Sequence, residues 1–215
     1  YIFQVGNTAE TTGDILSRMN AGAWYVNRQN RWNYGVGAFH LAGDYRDALG
    51  IDYFERRAGA SLVASYPFSR FSRVEGTAQS YYDQKRREDG TLREGLLTTH
   101  SISLIRDNSL WFATGPRDGA RFNLTGSLTT NWKTGRAENL KLSADLRRYL
   151  RASQWTTLAL RLQGRMSNGA DPERFVMGGT HSLRGYGRRS IYGTRLYLVN
   201  AEYRFPLFDH LVLGV

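Results

Sequence analysis

The sequence predicts an all-β fold, an antiparallel barrel that crosses a membrane on its strands, and three observations predict it. Apolar and polar residues alternate with a period of two in segment after segment. Several segments keep that alternation for ten or more residues, whereas soluble sandwiches use strands of about 5 or 6 and membrane-crossing strands need about 9 to 11. The wet rows carry arginine, glutamate and glutamine, while the greasy rows end in Trp132, Trp155, Tyr203 and Phe205. A lipid-facing band with aromatic girdles around a hydrated lumen has this composition.

The elements follow in chain order. A weak pattern covers 15–27, and Trp32, Tyr34, Val36 and Ala38 form the first clear apolar row. Weaker stretches at 58–66, 72–82 and 96–106 come next, broken by turn-rich pieces such as Asp89-Gly90 and Pro116 to Gly119. Phe122, Leu124, Gly126, Leu128, Thr130 and Trp132 then alternate with Asn123, Thr125, Ser127, Thr129 and Asn131. After 140–150, Leu158, Leu160 and Leu162 oppose Ala159, Arg161 and Gln163, and Arg165 continues the polar row. Finally Tyr197, Val199, Ala201, Tyr203 and Phe205 oppose Leu198, Asn200, Glu202 and Arg204. That makes about ten strands with ragged ends and no amphipathic helix.

Bulk properties narrow the choice. At 215 residues the chain suffices for one sizeable domain. Hydrophobic residues make up 41% and mean hydropathy is -0.49, values that suit a soluble protein. No run approaches the roughly 18 apolar residues of a spanning helix, and no charged-then-apolar leader opens the chain, which excludes a helical membrane protein. Alternation alone does not say which face is inside, so a soluble sandwich or calycin-like barrel competes until strand length is weighed. The chain starts abruptly at Tyr1-Ile2-Phe3 and stops within the apolar run Leu211 to Val215. Because lipid punishes unpaired sheet edges, the sequence is expected to be an incomplete piece of a larger barrel.

Cysteine is absent, which removes disulfides, thiolate metal sites and a cysteine nucleophile. The formal charge of +10 comes from arginine, since only Lys85, Lys133 and Lys141 are lysines. Such a balance suits nucleic acid, anionic lipid, or a polar interior of arginine-carboxylate pairs. Lys85-Arg86-Arg87 has no base-stacking platform around it, so it reads as a solvated loop near lipid phosphates, and no nucleic acid partner is expected. The histidines His40, His100, His181 and His210 lack metal-ligand spacing. Gly-x-Ser-x-Gly is missing, and Asp44 with Asp47, or Glu88 with Asp89, read as turn carboxylates. No enzyme, cofactor or metal is predicted.

One stretch stands apart, a connection of more than 20 residues at about 168–193. Connections that long are usually functional. It holds Gly178, Gly179, Gly185 and Gly187, which permit turns closed to other residues, and Arg184, whose planar fork suits a carboxylate. Glu202, 18 positions on, lies on the polar row of the following strand. A partly desolvated pair of this kind contributes about 1.5 to 3 kcal/mol, against about 0 to 1 kcal/mol for a solvated arginine on a surface hairpin. The residues by themselves leave both open.

Arg174-Phe175, Gly178-Gly179 and Ser182-Leu183-Arg184-Gly185-Tyr186 resemble the loop motif of the BamA-like outer-membrane assembly and translocation barrels, also called bacterial surface antigens. Ile105-Arg106-Asp107-Asn108, Gly115-Pro116 and Gly119-Ala120-Arg121-Phe122-Asn123-Leu124 are similar to that family's short periplasmic turn. Asn200-Ala201-Glu202-Tyr203-Arg204-Phe205-Pro206 is similar to the strand after its loop. The resemblance implies a roughly 16-stranded barrel in a bacterial-type outer membrane. Its sixth extracellular loop folds into the lumen, where Arg184 meets acidic residues of the inner wall, Glu202 among them. A second acidic partner would lie beyond Val215, and roughly the first two or three and the last three strands are expected to be missing.

By the same resemblance the protein inserts or translocates unfolded outer-membrane or secreted polypeptides, contacts outer-membrane lipids, and works with POTRA domains and accessory lipoproteins. Residues 1–215 are then one partial barrel domain with no second domain. Three further functions suit alternating strands. A passive diffusion channel would need no Arg-Gly-Tyr loop, the exporter barrel of a secreted hydrolase would carry a nucleophile motif upstream of Tyr1, and a soluble binding barrel would stay in solution without detergent.

Overall fold

The computed structural model describes residues 2–7, 18–46, 52–87, 90, 92–112, 115–180, 182–208 and 211–214. The long strands are β1 (Ile2–Asn7), β2 (Met19–Asn27), β3 (Asn33–Arg46), β4 (Asp52–Pro67), β5 (Ser72–Arg87) and β6 (Leu92–Asp107), followed by β8 (Gly115–Asn131), β9 (Arg136–Arg151), β10 (Thr157–Asn168), β13 (Arg195–Phe208) and β14 (Leu211–Gly214). Three short strands complete the set: β7 (Leu110–Phe112), β11 (Phe175–Met177) and β12 (Ile191–Gly193). The long strands join in that order into one antiparallel sheet, with β7 paired onto β8 and β11 with β12 as a separate hairpin. Among the described residues β1 and β14 end the order and do not pair with each other.

Period-two geometry puts alternate residues on opposite faces, and the two faces differ in kind. In one row Leu146, Leu162 and Val199 are neighbours across β9, β10 and β13, and all three side chains are exposed. Leu62, Ile102, Leu128, Leu142 and Tyr203 are exposed on the same side of the sheet. The opposite face buries Glu55, Ser61, Asp83, Ser127, Asn131 and Gln163. A soluble barrel would bury the leucines and wet the carboxylates. Here the order is reversed, as lipid outside and water within require.

The inner wall uses one device repeatedly. Glu55 with Arg57, Arg73 with Glu75, Asp145 with Arg147 and Glu202 with Arg204 are ion pairs two positions apart on a single strand, at 2.5 to 2.9 Å. Two positions is the spacing that returns a strand to the same face. Links between strands add to these, with Arg57 on Asp83 at 3.1 Å and Arg161 on Asp145 at 2.7 Å.

Several strands are longer than the alternation indicates. β4, β5, β6 and β9 each run for 16 residues, roughly 53 Å of strand at about 3.3 Å per residue. The alternating parts, 58–66, 72–82 and 96–106, hold 9 to 11 residues, roughly 30–36 Å. At a tilt of about 40° that matches the apolar band of about 25 Å. Beyond the band, on the side of the motif connection, both faces are polar: Arg56 bonds Gln84, and Tyr82 bonds Glu94. Strand persists there without a period-two signal.

Some expectations change. Lys85, Arg86 and Arg87 finish strand β5 rather than forming a loop, and the Lys85 ammonium lies 4.4 Å from the Tyr53 ring centroid. Pro116 to Gly119 begins β8 rather than a turn. The expected short turn after β6 is elaborated into a small hairpin, Phe112 facing Gly115 and Leu110 facing Asp118. Gly119 allows it: φ is +98°, and a Cβ there would lie 2.4 Å from the Asn108 carbonyl oxygen. His40 and His100 lie on the outward rows, and Asp44 pairs with Arg18. Asp47, Glu88, Asp89, His181 and His210 lie outside the described residues.

Candidate functional site

The connection from β10 to β13, residues 169–194, turns back against the inner wall instead of leaving the sheet. Gly169 makes the reversal at φ +140°, where a Cβ would strike the Glu138 carbonyl oxygen at 2.3 Å. That carbonyl accepts the Asp171 N–H at 2.9 Å. The Glu173 N–H donates to the Ser167 hydroxyl at 2.7 Å, and the Glu173 carboxylate takes Lys141 from β9 at 2.7 Å.

The chain then forms the β11–β12 hairpin, with Phe175 opposite Gly193. Phe175 is 4% exposed and packs on Leu196 and Leu198, with Met177 and Leu183 beside them. The Arg165 guanidinium lies 5.9 Å from the Phe175 ring centroid. Leu196 and Leu198 point inward on β13, on the row that otherwise carries Asn200, Glu202 and Arg204. The wet wall thus has a dry patch here, and the loop covers it.

At the tip the backbone closes on itself. The Gly178 N–H donates to the Ser182 hydroxyl at 2.9 Å, the Gly179 N–H to the Tyr186 carbonyl at 3.1 Å, and the Ser182 N–H to the Gly179 carbonyl at 3.2 Å. Gly178 and Gly179 sit at φ +117° and +94°. A Cβ on Gly178 would meet the Gly187 carbonyl oxygen at 2.2 Å, so nothing larger fits. Gly185, at φ +86°, has open space around it.

This knot holds Arg184 over the wall. Its Nη2 donates to Glu202 Oε1 at 2.9 Å, while Arg204 donates to Glu202 Oε2 through Nε at 3.1 Å and Nη2 at 2.9 Å. Asn200 Nδ2 donates to the Ser182 carbonyl at 3.3 Å. The Glu202 side chain is 19% exposed and that of Arg184 57%. A cavity of about 220 Å³ lies alongside, lined in part by Arg147, Arg161, Arg184 and Arg204. Those four cations share the carboxylates of Asp145 and Glu202. The site is cationic, and it holds a loop rather than a reacting group.

The structure therefore brings together Phe175, Gly178, Gly179, Ser182, Leu183, Arg184 and Glu202. Tyr186 contributes its carbonyl while its ring is exposed. Arg174 faces a larger cavity of about 690 Å³ between the loop and β4–β9. Sequence reasoning did not assign Arg204, Asn200, Leu196 or the inward role of Leu198. Two signals were available: Arg204 stands two positions from Glu202, and Leu198 is an apolar residue in a polar row.

A family model described as the Omp85 superfamily domain matches residues 3–213. None of the curated proteins matches the chain.

Proposed function

The chain belongs to the Omp85 superfamily, and from that premise we propose that residues 169–194 act as a strut, pinned to the inner wall through Glu202, on which polypeptide handling depends. Barrels of this superfamily reside in outer membranes, insert or translocate polypeptides, and are not enzymes; this chain is one of them. In our reading Arg184 and Glu202 anchor the loop, Phe175 with Leu183 seats it, and Gly178, Gly179, Gly185, Ser182 and Tyr186 set its path, with Arg174 facing the lumen. In the same reading residues 1–215 belong to one barrel domain. POTRA domains and accessory lipoproteins are its companions in the full polypeptide's setting.

The observation that supports this is the shared carboxylate. One Glu202 oxygen receives the loop's Arg184 and the other receives the wall's Arg204, so loop and wall are tied through one anion. The test is a charge exchange in the full polypeptide, Arg184→Glu and Glu202→Arg singly and together, read as insertion of a client barrel into vesicles. Each single change lowers insertion, and the pair restores part of it. Recovery is incomplete because Arg204 then faces a new arginine. Damage that simply adds in the pair refutes a direct anchor.

A further inference from the structure

The outward face carries a groove as well as a band. Across β5–β13 lies an apolar depression of about 530 Å³, floored by Gly126, Ala144 and Gly164 and walled by Leu124, Leu142 and Tyr197 among others. Its volume falls within the ~300–1,000 Å³ usual for ligand sites. Register makes it continuous: Ala144 pairs with Leu124 on one side and Gly164 on the other, and Gly164 pairs with Tyr197.

Backbone geometry does not call for these glycines. Neither Gly126 nor Gly164 is among the positive-φ glycines. A Cβ would meet Leu142 Cδ2 at 3.4 Å from Gly126, and Tyr197 Cδ1 at 3.7 Å from Gly164, both ordinary contacts. Glycine weakens a strand interior, and it is found where a ligand or another backbone comes close. No other described segment covers this face.

Charge identifies the occupant. Arg195 lies on the same face, directly across from Met166 of the groove wall and two residues from Tyr197. It is exposed and has no ion-pair or hydrogen-bond partner among the described residues. An apolar trough ending at an unpaired guanidinium, on the end of the sheet that bears the motif loop, matches a molecule with a hydrocarbon tail and a phosphate head. We infer that the groove seats one acyl chain of an anionic membrane phospholipid, whose phosphate, with no cationic headgroup beside it, lies on Arg195. The inference rests on the outward face being lipid-facing, as membership of an outer-membrane family requires.

The test uses the full polypeptide in phosphatidylcholine bilayers containing phosphatidylglycerol or phosphatidylcholine spin-labelled near mid-chain. The readout is the motionally restricted fraction by electron spin resonance. The unmodified protein restricts more phosphatidylglycerol than phosphatidylcholine. Gly126→Leu with Gly164→Leu lowers restricted phosphatidylglycerol by about one chain per barrel, whereas Ala60→Leu, added bulk on the same face outside the groove, does not. Arg195→Gln abolishes the headgroup preference while the restricted phosphatidylcholine stays unchanged. Heat-modifiable gel mobility verifies folding, and if the glycine variant does not fold, Arg195→Gln decides. Equal restriction of both lipids by the unmodified protein, no response to filling the groove, or a copy of the chain cross-linked over it overturns the proposal.

Discussion

Removing Arg184's side chain is expected to loosen the loop by an amount its surroundings set. Arg184 donates a charged hydrogen bond to Glu202 at 2.9 Å. Bonds to charged groups contribute about 1.5–3 kcal/mol when shielded, but exposed pairs contribute about 0.2–1 kcal/mol. With Glu202 19% and Arg184 57% exposed, Arg184→Ala should cost about 1 kcal/mol, a roughly fivefold fall in the docked-to-free ratio. Glu202→Ala should cost more, about 2 kcal/mol or roughly thirtyfold. It removes the Arg204 bonds too and leaves two guanidinium groups facing each other without their anion. Hydrogen exchange of the Gly178, Gly179 and Ser182 amides, followed by mass spectrometry on the full polypeptide in nanodiscs, reads this opening directly. All three amides are bonded within the knot. If Arg184→Ala leaves their exchange as slow as in the unmodified protein, the ion pair does not hold the loop, and the reasoning from Glu202 outward is wrong.

Other outcomes follow from the same geometry. Phe175→Ala should cost about 3 kcal/mol, toward the lower end for buried aromatic residues because its cluster is small, and limited proteolysis should cut residues 169–194 faster than in Arg184→Ala. Gly178→Ala should cost more than Gly185→Ala: both impose a strain of about 1–2 kcal/mol at positive φ, but only the first adds a 2.2 Å contact with a carbonyl oxygen. The same exchange experiment ranks them, and equal effects would exclude the clash as the cause. Leu162→Arg, on the lipid face, should destabilise by about 2–4 kcal/mol in urea unfolding from bilayers, whereas Asn123→Arg, at an exposed position facing the lumen opposite Asp145, should change much less.

The barrel was legible in the sequence wherever one face meets hydrocarbon and the other water. Segments 58–66, 122–132 and 197–205 alternate because two solvents border them. Residues 52–57 and 83–87 are strand as well, yet polar groups occupy both their faces and period two fades. The Arg184 and Glu202 contact could be anticipated from the motif and from Glu202's row. The fork with Arg204 depends on two side chains turning toward one carboxylate, which spacing permits without requiring. Leu196 and Leu198 were hidden for a related reason: whether an inward leucine is an anomaly or a seat depends on what lies above it, and Phe175 reaches them from 21 residues before Leu196. The hairpin of β7 with β8 was obscured because proline and glycine near 115–119 signal a turn equally well when the turn carries a ladder of its own.

The two-apart ion pairs of the inner wall bear on how such a wall is put together. Glu55 neutralises Arg57, and Asp145 neutralises Arg147, from within the same strand. Each of these pairs therefore travels within its own ribbon and is neutral before any neighbour arrives. Construction one ribbon at a time leaves these paired charges already met beside oil, whereas Arg161 of β10 waits for Asp145 of β9 and so favours the zipping of those two ribbons together.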